Sequence, residues 1–219
     1  MRKTVVTLAL LAAVPLAAQQ PQAEKDQTVR VKSTGLPPGW TVRIDDKETR
    51  YTVNDTRFET MGSGFHVTSG PAALYYNAKD VVSGPFTATA SFGQRKAPTH
   101  PEAYGLFIGG TKLETPEQQY LYFLVRGDGK YYVAHRAGKD VHTVVNWTDS
   151  PAVNKQNEAG AATNVLAIQV TKDSVLLSAN SQRVTSFAKS AAFNTDGQAG
   201  IRVNHNLDVH IGGFSVKKD

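Results

Sequence analysis

The stretch that decides the fold is Gln119-Tyr120-Leu121-Tyr122-Phe123-Leu124-Val125-Arg126-Gly127-Asp128-Gly129-Lys130-Tyr131-Tyr132-Val133-Ala134-His135-Arg136. Aromatic, β-branched and aliphatic residues flank Gly-Asp-Gly, which reads as two strands joined by a tight hairpin, because glycine takes the positive φ that such a loop requires. Side chains alternate faces with a period of two, so Leu121, Phe123 and Val125 share one face and Tyr120, Tyr122 and Leu124 the other. Both faces are largely apolar. A strand covered on both faces belongs at the centre of a sheet, with another sheet on one side and a loop or ligand on the other.

The same pattern extends outward in both directions. Asn164 to Thr171 and Ser174 to Ala179 pair across Lys172-Asp173, and Ala199 to Asn204 pairs with Asp208 to Val216 through His205-Asn206-Leu207. Earlier strands are Trp40 to Ile44, Gly64 to Thr68, Ala72 to Tyr76, Phe86 to Phe92 and Tyr104 to Ile108. Gly109-Gly110 and Gly212-Gly213 fit bulges or bends, and Thr115-Pro116-Glu117-Gln118 fits one helical turn. About twelve or more strands in a chain of this length twist too strongly for one open sheet, which predicts an all-β, two-sheet antiparallel sandwich.

The chain has 219 residues, no cysteine, 40% hydrophobic and 20% charged residues, ordinary values for a globular domain that exclude a collagen, a coiled coil and a disulfide scaffold. Residues 1–18 carry Arg2 and Lys3, an apolar run from Val5 to Leu16 and then Ala17-Ala18, the layout of a secretory signal peptide. The run is shorter than the roughly 20 residues that span a bilayer. Residues 19–27 are polar and read as a disordered lead, and 28–219 as one domain. The expected location is periplasmic or extracellular, without stable membrane insertion once the signal is cleaved. Lys and Arg number 24 and Asp and Glu 19; without Arg2 and Lys3 the balance is 22 against 19, too small and scattered an excess for a nucleic-acid surface.

Leu36-Pro37-Pro38-Gly39-Trp40, Gly64-Phe65-His66-Val67, the Tyr104 to Gly110 strand, the Arg126 to Tyr131 hairpin and Gly200-Ile201-Arg202-Val203 follow one another in an order that resembles the concanavalin A-like lectin/glucanase superfamily. The resemblance is closest to secreted bacterial members: laminin-G-like modules, laminarinase-type glucanases and 3-keto-glycoside hydrolases. It implies a jelly roll of two curved antiparallel sheets whose concave face often holds a saccharide.

Glycoside hydrolysis normally needs two carboxyl groups, one protonated and one ionised. The Glu-x-Asp-x-x-Glu strand of the laminarinase-type enzymes is absent, and the clusters Asp45-Asp46-Lys47-Glu48 and Glu114-Thr115-Pro116-Glu117 read as solvated loops. Glu102 and His100 are the catalytic candidates, because His-x-Glu on a strand places both groups on one face about 7 Å apart, within reach through a water. Pro98 and Pro101 argue for a loop there instead. Asn204, Asn206 and Asp208, beside His205 and His210, form the oxygen-rich candidate for Ca²⁺, although one carboxylate makes a weak site and turn stabilisation explains the same residues. No other cofactor or metal is expected.

Aromatic residues give the main functional signal. Tyr75, Tyr76, Tyr104, Tyr120, Tyr122, Tyr131 and Tyr132 are seven of the eight tyrosines, and a tyrosine ring can stack on sugar C–H groups while its hydroxyl hydrogen-bonds. They also suit half-buried sheet positions. Trp40, following Pro-Pro-Gly, reads as a core anchor, whereas Trp147 enters a polar loop, where binding residues concentrate. The preferred reading is an exported carbohydrate- or glycoconjugate-binding domain that stacks sugar on Tyr120, Tyr122 and Trp147, lines the same concave face with one of Tyr131 or Tyr132, and uses Arg126, His135 and Asn146 for hydrogen bonds. The rivals are a glycoside-acting hydrolase of the same fold and a structural envelope or interaction protein without a small ligand.

Overall fold

The structure, a computed structural model, describes residues 31–45 and 51–219. The expected signal peptide and lead, and Asp46, Lys47 and Glu48, lie outside the described residues. Two seven-stranded sheets account for nearly all regular structure. The front sheet runs, in spatial order, β1 (Trp40–Ile44), β4 (Ala73–Val82), β13 (Gly197–Val203), β6 (Ala103–Thr111), β7 (Gln119–Arg126), β8 (Lys130–Ala137) and β9 (Asp140–Asp149). The back sheet runs β12 (Gln182–Ala188), β11 (Ser174–Ala179), β10 (Ala162–Val170), β5 (Phe86–Gln94), β14 (Asp208–Lys218), β3 (Gly64–Ser69) and β2 (Thr56–Met61). All pairings between neighbours are antiparallel.

β7 lies within its sheet, between β6 and β8. Leu121, Phe123 and Val125 enter the core between the sheets, while Tyr120, Tyr122 and Leu124 join a second apolar cluster with Leu74, Tyr76, Phe107 and Ala134 on the outer face. Trp40 anchors the core, its ring 5.0 Å from Phe58 and 4.7 Å from Phe65. Both glycine pairs mark irregular pairing: register shifts lie between Ile108 and Thr111 and between Gly212 and Ser215. Gly109 and Gly213 there hold φ of 66° and 60°, which a residue with a Cβ adopts only under strain.

Three strands escape the sequence reading: β2, β9 and β12. All three are sheet edges. An edge strand meets water along one side and on its outer face, so it lacks the strong apolar alternation of a central strand. Trp147 therefore stands in β9 and not in a loop. The helical turn expected at Thr115 is instead a pair of turns, in which Thr115 Oγ1 accepts from Glu117 N at 3.2 Å.

The segment between β9 and β10 is tied down by a buried amide. Asn164, fully buried, donates to the Tyr104 hydroxyl at 3.2 Å and accepts from Asn154 N and Asn180 Nδ2, each at 2.8 Å. Asn164→Leu leaves the buried Tyr104 hydroxyl without this partner, at about 1–3 kcal/mol for a buried group left unsatisfied, and removes the bond that holds Asn154 N and one of the two that hold Asn180 Nδ2. A lowered urea midpoint with an unchanged m-value is the expected outcome.

Candidate functional site

Alternation along each strand of the front sheet sends one set of side chains into the core and the other onto the outer face. Tyr75, Tyr104 and Tyr131 go inward, and Tyr76, Tyr120, Tyr122 and Tyr132 outward. The outward set crosses the sheet as a row: Tyr120 and Tyr122 are 5.5 Å apart, Tyr122 and Tyr132 6.1 Å, and Tyr132 and Trp147 4.9 Å with ring planes 25° apart. Accessibility rises along it. Tyr120 is 0% exposed and Tyr122 5%, while Tyr132 and Trp147 are half-buried.

Beyond Trp147 the row ends in charge. The Arg126 guanidinium lies 4.4 Å from the Trp147 ring, a cation–π contact, and donates to both Asp128 carboxylate oxygens at 2.8 and 2.7 Å. Burial raises the Asp128 pKa, but the hydrogen bonds and charge of Arg126 outweigh it and hold the carboxyl below its ordinary range.

At the buried end of the row stands an ionic centre. Asp45, with a side chain 5% exposed, faces Arg202 at 2.7 Å and Arg136 at 3.4 Å. Tyr120 donates its hydroxyl to Asp45 at 3.3 Å and accepts from Arg202 at 2.8 Å. Arg202 also lies 4.8 Å from the Tyr122 ring. Burial pushes the Asp45 pKa up, yet Arg202 and Arg136 together with hydrogen bonds from Arg202 and Tyr120 bring it below the ordinary carboxylate range. Burial also drives the Tyr120 hydroxyl well above its ordinary value, so it stays protonated. Asp45 is therefore not the solvated loop acid its sequence neighbours suggest.

Several sequence candidates lie elsewhere. Tyr131 is a core residue, 6% exposed, whose hydroxyl donates to the Val184 carbonyl. His135 shares that inward row with Val133, beside His142 and Phe193; burial and His142 lower its pKa. Neither faces the Tyr122 side, because the pairing of Leu124 with Tyr132 puts Tyr132 there instead. Asn146 is exposed, and its carboxamide oxygen accepts from Trp147 N at 2.8 Å. Tyr120, Tyr122, Arg126 and Trp147 do come together, although the Tyr120 ring is sealed.

Glu102 precedes β6 and pairs through Oε1 with His205 Nε2 at 3.1 Å. His100 lies in the loop that its flanking prolines imply, and both residues line a cavity of about 190 Å³ with Asp128 and Gln156. Asp208 engages His66 at 3.0 Å, and Asn206 takes a turn conformation with φ 57°. Among the described residues, no three His, Asp or Glu side chains converge as metal ligands. At the opposite end of the outer face, a cleft of about 570 Å³ lies between Tyr76, Leu113, Glu114 and Gln198. Burial and Glu114 push the Tyr76 hydroxyl up to about 12.

No protein-family model matches the chain, and neither does any curated protein. Solved structures do. A carbohydrate-binding module from Bacillus subtilis superposes with a TM-score of 0.60 at 11% identity, covering 85% of this chain and 98% of that one. The fold is a concanavalin A-like jelly roll. Two further jelly rolls support the assignment. A family 16 endo-glucanase from Bacteroides ovatus gives 0.57 at 9% identity, over 81% of this chain and 94% of that one. Alginate lyase A1-II′ gives 0.52 at 13% identity, over 83% and 95%. At these identities the shared property is the jelly roll itself. Among its described residues, no helix is long and apolar enough to cross a membrane.

Proposed function

We propose that this jelly roll is an exported carbohydrate-binding domain that packs a saccharide against the accessible end of the outer-face aromatic row. The observation that carries the reading is the ordered assembly of Tyr122, Tyr132, Trp147 and Arg126 from three strands onto one face. Aromatic rings supply apolar contact for sugar C–H groups at little conformational cost. Arg126 and Asp128 supply directed polar atoms beside them. Tyr120, at the buried end of the row, acts as a fixed support and not as a stacking surface. The solved structures include a carbohydrate-binding module, an endo-glucanase and an alginate lyase, so the same fold carries saccharide recognition in other proteins.

Hydrolysis is less well supported. A general acid needs a raised pKa, and Asp45 and Asp128, the carboxylates beside the row, are both held ionised by arginines, so neither of these two supplies it. The test of binding is a glycan array followed by affinity electrophoresis on soluble polysaccharides, with wild type beside Tyr132→Ala. The proposal expects saturable binding by the wild type that the variant loses while its circular dichroism is unchanged. A folded wild type that binds no glycan contradicts it. Export is checked by cell fractionation with intact mass: a chain beginning at Gln19 in periplasm or medium supports it, and a chain beginning at Met1 confined to the cytosol contradicts it.

A further inference from the structure

We infer that the cavity between residues 98–102, the β7–β8 hairpin and Gln156 is a subsite for a single non-acidic sugar ring that adjoins the aromatic row. The inference rests on the binding function proposed above and adds a location and a ligand class. The cavity measures about 190 Å³, below the roughly 300–1,000 Å³ of pockets for drug-sized ligands. It suits one ring, not a chain.

Its polar walls come from distant parts of the sequence and are individually braced. Asp128 is fixed by the two Arg126 bonds. Gln156 accepts through Oε1 from Gln94 Nε2 at 2.9 Å and donates its backbone N–H to the Gly127 carbonyl at 2.8 Å. Gln94 is itself 2% exposed, and its Oε1 is buried with no hydrogen-bond partner. Glu102 is positioned by His205. A Cβ at Gly127 would stand 2.3 Å from Gln156 Oε1, so glycine lets the hairpin close against the Gln156 wall. Polar groups held this way are a preformed binding arrangement, since little ordering remains to oppose binding.

The same braces join the cavity to the row. Asp128 lines the cavity and grips Arg126, and Arg126 lies over Trp147. Asp128 and Arg126 thus link the cavity wall to the ledge formed by Trp147. Carboxylates at Glu102 and Asp128 accept from sugar hydroxyls but repel a uronate or a sulfate at the same place, since like charges brought together oppose binding. The ligand class is thus neutral or amino sugars.

The test is amide-resolved NMR titration with methyl β-glucoside, methyl β-galactoside, N-acetylglucosamine and galacturonate. Wild type is compared with Gln156→Ala and Asp128→Asn. At least one non-acidic sugar is expected to shift the Gly127 and Asp128 amides, with galacturonate at least tenfold weaker. Each variant is expected to weaken binding at least tenfold while its amide spectrum remains that of the folded domain. Shifts confined to Tyr122, Tyr132 and Trp147, insensitive to both variants, overturn the subsite and leave the aromatic row standing. Galacturonate binding as well as galactoside overturns the ligand class, and no shift with any sugar overturns the subsite. If the glycan array is silent as well, the binding function fails with it.

Discussion

Arg202→Met lowers the stability of the fold by about 3–5 kcal/mol, because it leaves Asp45 buried with its strongest partner gone. Asp45 and Arg202 side chains are 5% and 10% exposed, so water replaces little of what is lost. For a domain of this size the loss corresponds to a fall of roughly 6–20 °C in Tm, which calorimetry reads directly. The double variant with Asp45→Asn recovers part of the loss, since the stranded carboxylate is gone; a double variant as unstable as the sum of its singles would contradict this coupling. The pH dependence follows from the same centre. The folded-state pKa of Asp45 is depressed, so its contribution is present above the unfolded-state value of about 4 and is lost as pH falls through the folded value. Arg202→Met weakens that depression, and its acid-unfolding midpoint is expected to move to higher pH than the wild type's.

The second large effect is on binding. Trp147→Ala removes the ring that joins Tyr132 to Arg126, and about 2 kcal/mol or more of saccharide affinity is expected to go with it, roughly thirtyfold in Kd. Because β9 is an edge strand, the fold tolerates this truncation better than one in β7, so Tm is expected to change little. Tyr120→Phe gives the complementary result. It removes a hydroxyl from the ionic centre, which costs stability through the Asp45 and Arg202 bonds, and leaves saccharide affinity within about threefold if the row's accessible end is the binding surface.

Much of this arrangement can be read from the chain. The alternation in 119–126 places Tyr120 and Tyr122 together because a central strand has two covered faces, each with its own apolar signature. The row in β8 that joins them is also recoverable. A three-residue Gly127-Asp128-Gly129 loop pairs Arg126 with Lys130, and paired residues share a face, so Leu124 meets Tyr132 and Tyr131 turns inward. The same register settles the choice between Tyr131 and Tyr132 in favour of Tyr132 and turns His135 inward with Tyr131. The edge strands are a different case. Trp147 lies in β9 and nothing in Val145-Asn146-Trp147-Thr148-Asp149 distinguishes a solvated edge from a loop, because both are polar for the same reason. The contacts of Asp45 with Arg202 and of Glu102 with His205 join residues more than a hundred positions apart. Local periodicity carries no information on such pairs, which only sheet order brings together.

The chain's two tryptophans stand in opposite environments: Trp40 is packed among Phe58, Phe65 and Phe214, and Trp147 lies on the outer face beside Tyr132 and Arg126. The most direct test of the binding surface is therefore a ¹H–¹⁵N titration that follows both indole resonances while the best glycan from the array is added. Saturable movement of the Trp147 indole with the Trp40 indole stationary is the predicted result. A glycan that binds while the Trp147 indole does not move would place the binding surface elsewhere and contradict the account.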